Sequence, residues 1–212
     1  MEEIQRVSPV SFKSRPIKTA IHDHWKVALE YEAEGGGPHL IDLSHRSRCD
    51  IQHRHISEMK PWGVTMPENP GQSIYQNGIL INRMNRTQAS AWHLDGARLM
   101  TPEGPAYTDV TDAALFLALL GKEVFSITEK LTYLDLSDPE KEPPFLLQGP
   151  FSRVPCQLVV LGKSNHCSGV LLTCSRGYGQ DMVEAIFEAG AQWKLRPAGE
   201  SAFHRFVEKW LA

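Results

Sequence analysis

Residues 108–121 read Thr-Asp-Val-Thr-Asp-Ala-Ala-Leu-Phe-Leu-Ala-Leu-Leu-Gly and contain the longest apolar run of the chain. The run extends from Ala113 to Leu120, after a polar start, and Gly121 ends it. A short continuous apolar run that is bounded by turn residues is typical of a strand that is buried on both faces. The stretch therefore predicts a fully buried strand in the interior of the protein.

The turn before this strand has a counterpart in the first half of the chain. Asp42-Leu-Ser-His resembles Asp109-Val-Thr-Asp, and each precedes a strand, a predicted helix and two more strands. Such a repeated βαββ unit can bury two half-sheets against a shared set of helices. We therefore predict an α+β fold of two similar βαββ-type lobes, with mostly antiparallel sheets packed against helices. The first lobe is predicted at 39–106 and the second at 107–212, within one compact domain.

Hydrophobic spacing predicts the remaining elements. Residues 1–38 are predicted to form an N-terminal strap and a helix over 18–32, which ends at three glycines. Further helices are predicted over about ten residues after Gly121, around Met182 and at the C-terminus, where the apolar stripe is clearest. Strands are predicted at 39–43, 47–52, 78–82, 89–94, 155–161 and 169–173.

The composition excludes several classes of function. The net charge is −3 with neutral histidines, whereas a nucleic-acid-binding protein usually carries a basic surplus. No apolar run approaches the length of a membrane span, and the N-terminus lacks the basic start and apolar stretch of a signal peptide. The four cysteines have no CxxC spacing, which favours reduced thiols. We expect a soluble cytoplasmic protein that binds neither nucleic acid nor a membrane.

Two kinds of short motif could carry chemistry. His22-Asp-His24 and His53-Arg-His55 have the HxH spacing, which on a strand places both imidazoles on one face and can serve a metal. No further ligand clearly completes either pair, so no metal site is predicted, and a metal protein built on these pairs is a minor hypothesis. Asn165-His166-Cys167 could pair a thiol with a base, but a hairpin turn explains that segment better. We expect no catalytic residues in this chain.

Several segments, taken in order, resemble the glycine cleavage T-protein (aminomethyltransferase) superfamily. They are Leu40-Ile-Asp-Leu-Ser-His45, Val110-Thr-Asp with the run from Ala114 to Gly121, Lys130-Leu-Thr-Tyr-Leu-Asp-Leu136, Val154-Pro155, the stretch from Ser175 to Gly190, and Leu195-Arg-Pro-Ala-Gly199. Trp62-Gly-Val-Thr-Met-Pro, with the glycine and strands that follow it, is more similar to the γ subunit of heterotetrameric sarcosine oxidase. The resemblance implies a T-protein-like fold without the C-terminal barrel of the longer relatives.

The first functional hypothesis follows from this resemblance and from one departure. Folate-using relatives carry a catalytic aspartate after their first helix, and the corresponding region here, around Met59-Lys-Pro-Trp, has no acid in such a context. The resemblance therefore implies a non-catalytic, γ-like subunit of a sarcosine-oxidase-like complex, packed against larger α and β subunits. Flavin and NAD are expected in those partners, and no cofactor is expected in this chain.

The second hypothesis is a stand-alone aminomethyltransferase-like protein that binds tetrahydrofolate in the groove between the halves. Asp42, Asp109 and Asp112 are its candidate folate-binding residues, because each lies at the edge of a predicted central strand. An aspartate that precedes Ser or Thr also caps a turn well. Both roles stay open at this point for the three aspartates.

Overall fold

The computed structural model describes residues 5–96, 98–164 and 166–212. The strands are β1 (Pro16–His22), β2 (Trp25–Tyr31), β3 (His39–Asp42), β4 (Arg48–Gln52), β5 (Ser73–Gln76), β6 (Ile79–Arg83), β7 (Gln88–His93), β8 (Tyr107–Asp109), β9 (Ala114–Leu120), β10 (Phe145–Phe151), β11 (Val154–Ser164), β12 (Cys167–Ser175) and β13 (Arg196–Ala198). The α-helices are α1 (Val124–Thr128), α2 (Gly179–Gly190) and α3 (Glu200–Leu211). Within the described ranges, no helix has the length and apolar character needed to cross a bilayer.

Two sheets contain all of the strands except β1 and β2, which form a hairpin of their own. The larger sheet has six strands in the order β10-β11-β12-β9-β3-β13, and the smaller has five in the order β5-β6-β7-β4-β8. Neighbouring strands are antiparallel, apart from the parallel pair β13 and β3. The prediction of an α+β fold with mostly antiparallel sheets is confirmed, and neither sheet closes into a barrel in the described part of the chain.

The two halves of the chain repeat the same strand order, and each half contributes one strand to the sheet of the other. The first half supplies β5-β6-β7-β4, and the second half supplies the equivalent series β10-β11-β12-β9. The strand that opens each repeat pairs outside its own half, since β3 pairs with β9 and β8 pairs with β4. Each sheet is therefore completed by the other half. The division of the chain at residue 107 stays a prediction.

Strand β9 is buried on both faces, as its sequence predicts. Its odd-numbered side chains from Leu115 to Leu119 belong to one core, which α1 and α2 cover. Its even-numbered side chains from Phe116 to Leu120 belong to a second core, which also contains residues of the five-stranded sheet and of α3. The six-stranded sheet is therefore the middle layer of the molecule, between helices on one side and a sheet with a helix on the other.

The helix predicted over 18–32 is wrong, because this segment is the β1–β2 hairpin. His22 pairs with Trp25, and the two residues between them, Asp23 and His24, have φ angles of 47° and 66°. Two successive positive φ angles are the signature of a type I′ turn, which matches the twist of a hairpin. Asp-His is a rare sequence for that turn, and the apolar residues around it also happen to fit a helical spacing.

The other helices differ from the prediction mainly in length. The segment after Gly121 forms only the five residues of α1, rather than about ten. In the first half, the predicted helix between β4 and β5 is replaced by two 3-10 turns, Ile56–Glu58 and Pro61–Gly63. Helices α2 and α3 are confirmed.

Helix α3 begins against the β1–β2 hairpin because Gly199 has no side chain. A Cβ atom at Gly199 would lie 2.2 Å from the backbone carbon and oxygen of Leu29 in β2. The close approach is possible only for glycine, since these neighbouring atoms belong to the main chain and cannot rotate away. Gly199 therefore fixes the position of Glu200, the first residue of α3, relative to the hairpin.

We expect Gly199→Ala to lower the free energy of unfolding by about 1–3 kcal/mol, because the added methyl group must push α3 and β2 apart. Thermal or urea unfolding measures this loss. Gly177→Ala is the matched control, since a Cβ at Gly177 meets nothing within 4 Å, and it should change stability by less than about 0.5 kcal/mol. Equal stability of the two variants would contradict this role of Gly199.

Candidate functional site

Asp42 and Asp109 occupy equivalent positions in the two repeats, as the last residues of β3 and β8. The Oδ1 atom of Asp42 accepts a hydrogen bond from the backbone N–H of Ser44 at 2.9 Å, and Oδ1 of Asp109 accepts one from Thr111 at 2.9 Å. Both aspartates thus close the same type of turn. The second oxygen of Asp42 accepts a further hydrogen bond from the Ser8 hydroxyl at 2.5 Å.

Arg48, the first residue of β4, is buried between these two turns. One of its terminal nitrogens, Nη2, donates to the carbonyl oxygens of Thr111 at 2.5 Å, Ala114 at 2.7 Å and Ser44 at 3.4 Å. Its Nε and Nη1 atoms have no hydrogen-bond partner among the described residues. Arg48 therefore joins the turn of the first repeat to that of the second through its own side chain.

The three predicted folate-binding aspartates act on this buried cation. Burial lowers the pKa of Arg48 to about 10, and the negative charges of Asp42, Asp109 and Asp112 act in the opposite direction. Arg48 thus stays protonated at neutral pH, with carboxylates near it that offset the cost of burying its charge. The charges of all three predicted aspartates thus act on Arg48, and their binding of folate stays a prediction.

Asp112 also belongs to a chain of ion pairs that holds the N-terminal segment. Arg6 lies 3.3 Å from Asp112 and 2.5 Å from Asp23, and Asp23 is in turn 2.7 Å from Arg98. Most of these groups are partly exposed, so each single pair contributes little to stability. Together they connect the N-terminal segment, the hairpin turn and the second repeat.

The segment at 5–14, which we call the strap, lies between the end of β3 and the beginning of α2. Besides the contact of Ser8 with Asp42, the backbone N–H of Ser11 donates to the side chain of Gln180 at 3.1 Å. Pro9 lies so close to Gly179 that a Cβ atom there would be 2.7 Å from the proline carbonyl oxygen. This segment therefore covers the side of the molecule where Asp42 is found.

Two cavities flank the first turn, and His45 lines both of them. The smaller, of about 270 Å³, is lined by the strap, the hairpin and Asp42. The larger, of about 410 Å³, contains Asp109 and is surrounded mainly by polar and charged side chains. Its lining residues are Arg6, His22, Asp23, His45, Ser47, Asp95, Gly96, Arg98, Asp109, Thr111 and His204. Its size is suited to a small polar molecule.

A cluster of His22, His45 and Glu200 adjoins the larger cavity. Nε2 of His45 lies 2.8 Å from Oε1 of Glu200, and Nδ1 of His22 lies 3.5 Å from Oε2. Arg46 contacts Oε1 of Glu200 at 2.7 Å. Burial alone would raise the pKa of Glu200, but the His45 hydrogen bond and the charge of Arg46 outweigh it and lower the pKa to about 2. Glu200 is therefore an ionised carboxylate in a buried position.

The HxH pairs are not assembled as the sequence suggests. His24 lies in the turn after β1 with a positive φ angle, so the period of two that would align it with His22 is interrupted. His53 and His55 lie outside the named strands, with ring centroids 5.9 Å apart. The sequence does not indicate His45 and Glu200 as neighbours of His22, because these residues are far apart in the chain.

The Asn165-His166-Cys167 segment lies at the hairpin that joins β11 and β12, although Asn165 itself is outside the described residues. Ser164 pairs with Cys167, whose backbone N–H donates to the Ser164 hydroxyl at 3.0 Å. Burial raises the pKa of the Cys167 thiol, which disfavours the nucleophilic thiolate. These contacts agree with the interpretation of this segment as a turn.

Comparison with known proteins supports the fold. No family model and no curated protein sequence matches the chain. Among solved structures, it is similar to heterotetrameric sarcosine oxidase from Corynebacterium sp. U-96 in complex with pyrrole 2-carboxylate, with a TM-score of 0.61 and 13% identity over 75% of this chain and 87% of that chain. It is also similar to the glycine cleavage system aminomethyltransferase T from Bartonella henselae, with a TM-score of 0.58 and 14% identity over 88% of this chain and 56% of that one.

These similarities confirm the predicted T-protein-like fold. At 13% and 14% identity they concern the arrangement of the backbone and leave the function of this chain to be argued from its own residues. The chain spans little more than half of the aminomethyltransferase and most of the sarcosine oxidase chain.

We expect Arg48→Met to lower the free energy of unfolding by about 1–3 kcal/mol, because the carbonyl groups of Thr111 and Ala114 lose their buried donor. Chemical denaturation measures the change. Asp112→Asn is the control, because it removes one of the negative charges that act on Arg48 without removing a hydrogen-bond donor. It should lower the free energy of unfolding by less than about 1 kcal/mol, since Asp112 is exposed. If Arg48→Met were as stable as the parent chain, Arg48 would not join the two turns.

Proposed function

We propose that this chain is a non-catalytic, γ-like subunit of a sarcosine-oxidase-like complex, which demethylates an amine in connection with folate one-carbon metabolism. The observation that carries the proposal is that the N-terminal segment of the chain itself engages two of the three predicted folate-binding carboxylates, Asp42 and Asp112. Asp42 is bound by the strap and by its own turn, Asp109 by its turn, and Asp112 by Arg6. These contacts would compete with a folate ligand for Asp42 and Asp112.

The structural similarity is consistent with this role. The sarcosine oxidase that this chain resembles is a heterotetramer. The match covers 87% of the sarcosine oxidase chain that was compared. A subunit whose role is to stabilise larger partners can retain the T-protein-like fold without catalytic residues. We propose that the partners are larger α- and β-type subunits, which would hold the flavin and the NAD.

The cytoplasm is the proposed location of the complex. All four cysteines are free, and three of them are buried. Free buried thiols are stable in a reducing compartment.

The outer face of the β1–β2 hairpin is one surface available for such partners. Ile17 and Ile21 both belong to β1 and are 64% and 65% exposed. Isolated exposed apolar residues are normal, but two on one short strand favour contact with another protein. The hairpin also carries His22 and contacts α3, so that a partner bound here would lie beside the larger cavity, which His22 lines.

We expect the tagged chain, when purified from its own cells, to elute with a flavin-containing partner and with sarcosine- or N-methylamine-dependent oxidation activity. Replacing Ile17 and Ile21 by Ser should reduce the recovery of flavin at least about tenfold, if these residues contribute the energy typical of an interface centre. Tyr133→Ser is the control, since Tyr133 is a still more exposed large side chain, at 83%, and lies between α1 and β10 rather than in the hairpin. Elution of the chain as a stable monomer without flavin or activity would contradict the subunit role.

A stand-alone aminomethyltransferase-like protein is the second candidate function, and the polar cavity beside Asp109 favours it. At about 410 Å³ the cavity lies within the range of small-molecule sites. The similarity to an aminomethyltransferase is compatible with a retained pocket for tetrahydrofolate.

Titration calorimetry with tetrahydrofolate separates the two functions. For the subunit role we expect no heat of binding to the full chain under conditions in which an authentic aminomethyltransferase binds. Saturable binding that weakens about tenfold or more in Asp109→Asn, and remains unchanged in Asp138→Asn, would support the enzyme instead. Asp138 is a suitable control because it pairs with Lys141 in a loop outside the cavity.

A further inference from the structure

Three side chains with metal-binding atoms meet at one point from distant parts of the chain. His22 ends β1, His45 lies between β3 and β4, and Glu200 begins α3. One ligand atom of each lies within 4.8 Å of the others. We propose that these residues bind a divalent ion of the zinc type, since two imidazoles and one carboxylate form a donor set that holds zinc with a fourth position open.

Two atoms of this cluster are buried without a hydrogen-bond partner in the described structure. They are Nδ1 of His22 and Oε2 of Glu200, and they face each other at 3.5 Å. This distance is longer than an ordinary N–H···O hydrogen bond, which is about 2.7–3.2 Å. It falls within the separation of about 3.3–3.6 Å between two ligands of a tetrahedral zinc ion, given metal–ligand distances of about 2.0–2.2 Å. The two atoms are therefore spaced as ligands of a shared ion.

Glu200 is prepared for this role by its surroundings. Its side chain is 1% exposed, and it is held by Arg46, which donates to Oε1 at 2.7 Å and to the backbone carbonyl of Leu94. A carboxylate ligand whose other oxygen accepts such a hydrogen bond is oriented and kept ionised. Oε2 is thereby left free to bind the ion.

His45 completes the set after a small rearrangement. Its Nε2 atom now lies 2.8 Å from Oε1 of Glu200, where an N–H group would donate to the carboxylate. Metal binding requires Nε2 without a proton, so the proton must move to Nδ1 and the ring must turn slightly towards Oε2. The side chain of His45 is 5% exposed, and both cavities border it, which gives the ring room to turn.

The charges around the cluster tolerate a cation. Arg46 is positive, but Glu200 contacts it and the negative charge of Asp95 also acts on it. Asp95 lines the larger cavity together with His22 and His45. An ion bound here would have its open position towards this cavity, where water or a small anionic ligand could complete the coordination.

Calorimetric titration with zinc chloride tests the proposal on the untagged full chain after removal of metal with a chelator. We expect one zinc ion per chain and a higher Tm when zinc is present. His22→Ala should weaken binding by more than about tenfold, since loss of a direct ligand exceeds the effect of losing an outer partner. A chain without saturable zinc binding would overturn the proposal.

The control is the double variant His53→Ala/His55→Ala, which removes an exposed pair of histidines elsewhere and should keep the affinity of the parent. Zinc binding that is lost in this variant and retained in His22→Ala would also overturn the proposal. Glu200 is left intact because it neutralises Arg46, and the metal-free His22→Ala chain should unfold at the same temperature as the parent. Cobalt(II) adds a spectroscopic test, since the absorption of a tetrahedral complex should be lost in His22→Ala.

The expectation that the chain has no metal site stays a prediction, which this titration decides. The proposal goes beyond the subunit role and does not depend on it. A bound ion would tie the β1–β2 hairpin to α3 and to the first repeat, which would stabilise the surface proposed to face the partners.

Discussion

The arrangement of the two halves depends on the buried guanidinium of Arg48. A charged group is costly to bury unless hydrogen bonds and opposite charges surround it. Here the carbonyl oxygens of Thr111 and Ala114 supply the hydrogen bonds from the second repeat, and aspartates of both repeats supply the charge. Since β3 and β8 each pair outside their own half, a separation of the halves would expose both new sheet edges and this cation. The crossed strands and the cation therefore hold the halves together as one unit.

The sequence predicts the elements that are decided locally. The run from Ala113 to Leu120 has the length and composition of a doubly buried strand, and the turns at Asp42 and Asp109 reveal the repeat. The exchange of β3 and β8 could not be predicted, because strands of either half fit the same hydrophobic pattern. The β1–β2 hairpin was predicted as a helix because its positive φ angles at Asp23 and His24 are set by pairing between strands rather than by glycine.

In the candidate site, too, contacts between distant parts of the chain could not be predicted from the sequence. Asp42, Asp109 and Asp112 are predicted as a group from their places at the edges of strands, and the charges of all three act on Arg48, which has no local signal in the sequence. The sequence suggests His22 as a metal ligand together with His24, two positions away. Its actual neighbour Glu200 is brought there by the contact of Gly199 with the backbone of β2, and only the tertiary structure reveals that contact.

The contacts of the N-terminal segment link two of the predicted folate-binding aspartates to the β1–β2 hairpin. A strap residue, Ser8, binds Asp42, and Arg6 binds Asp112, so that the N-terminal segment satisfies acids that a ligand would otherwise use. The same segment is joined through Asp23 to the hairpin, whose outer face carries the exposed residues Ile17 and Ile21. The contacts of the N-terminal segment with these aspartates therefore also position the surface proposed for partners.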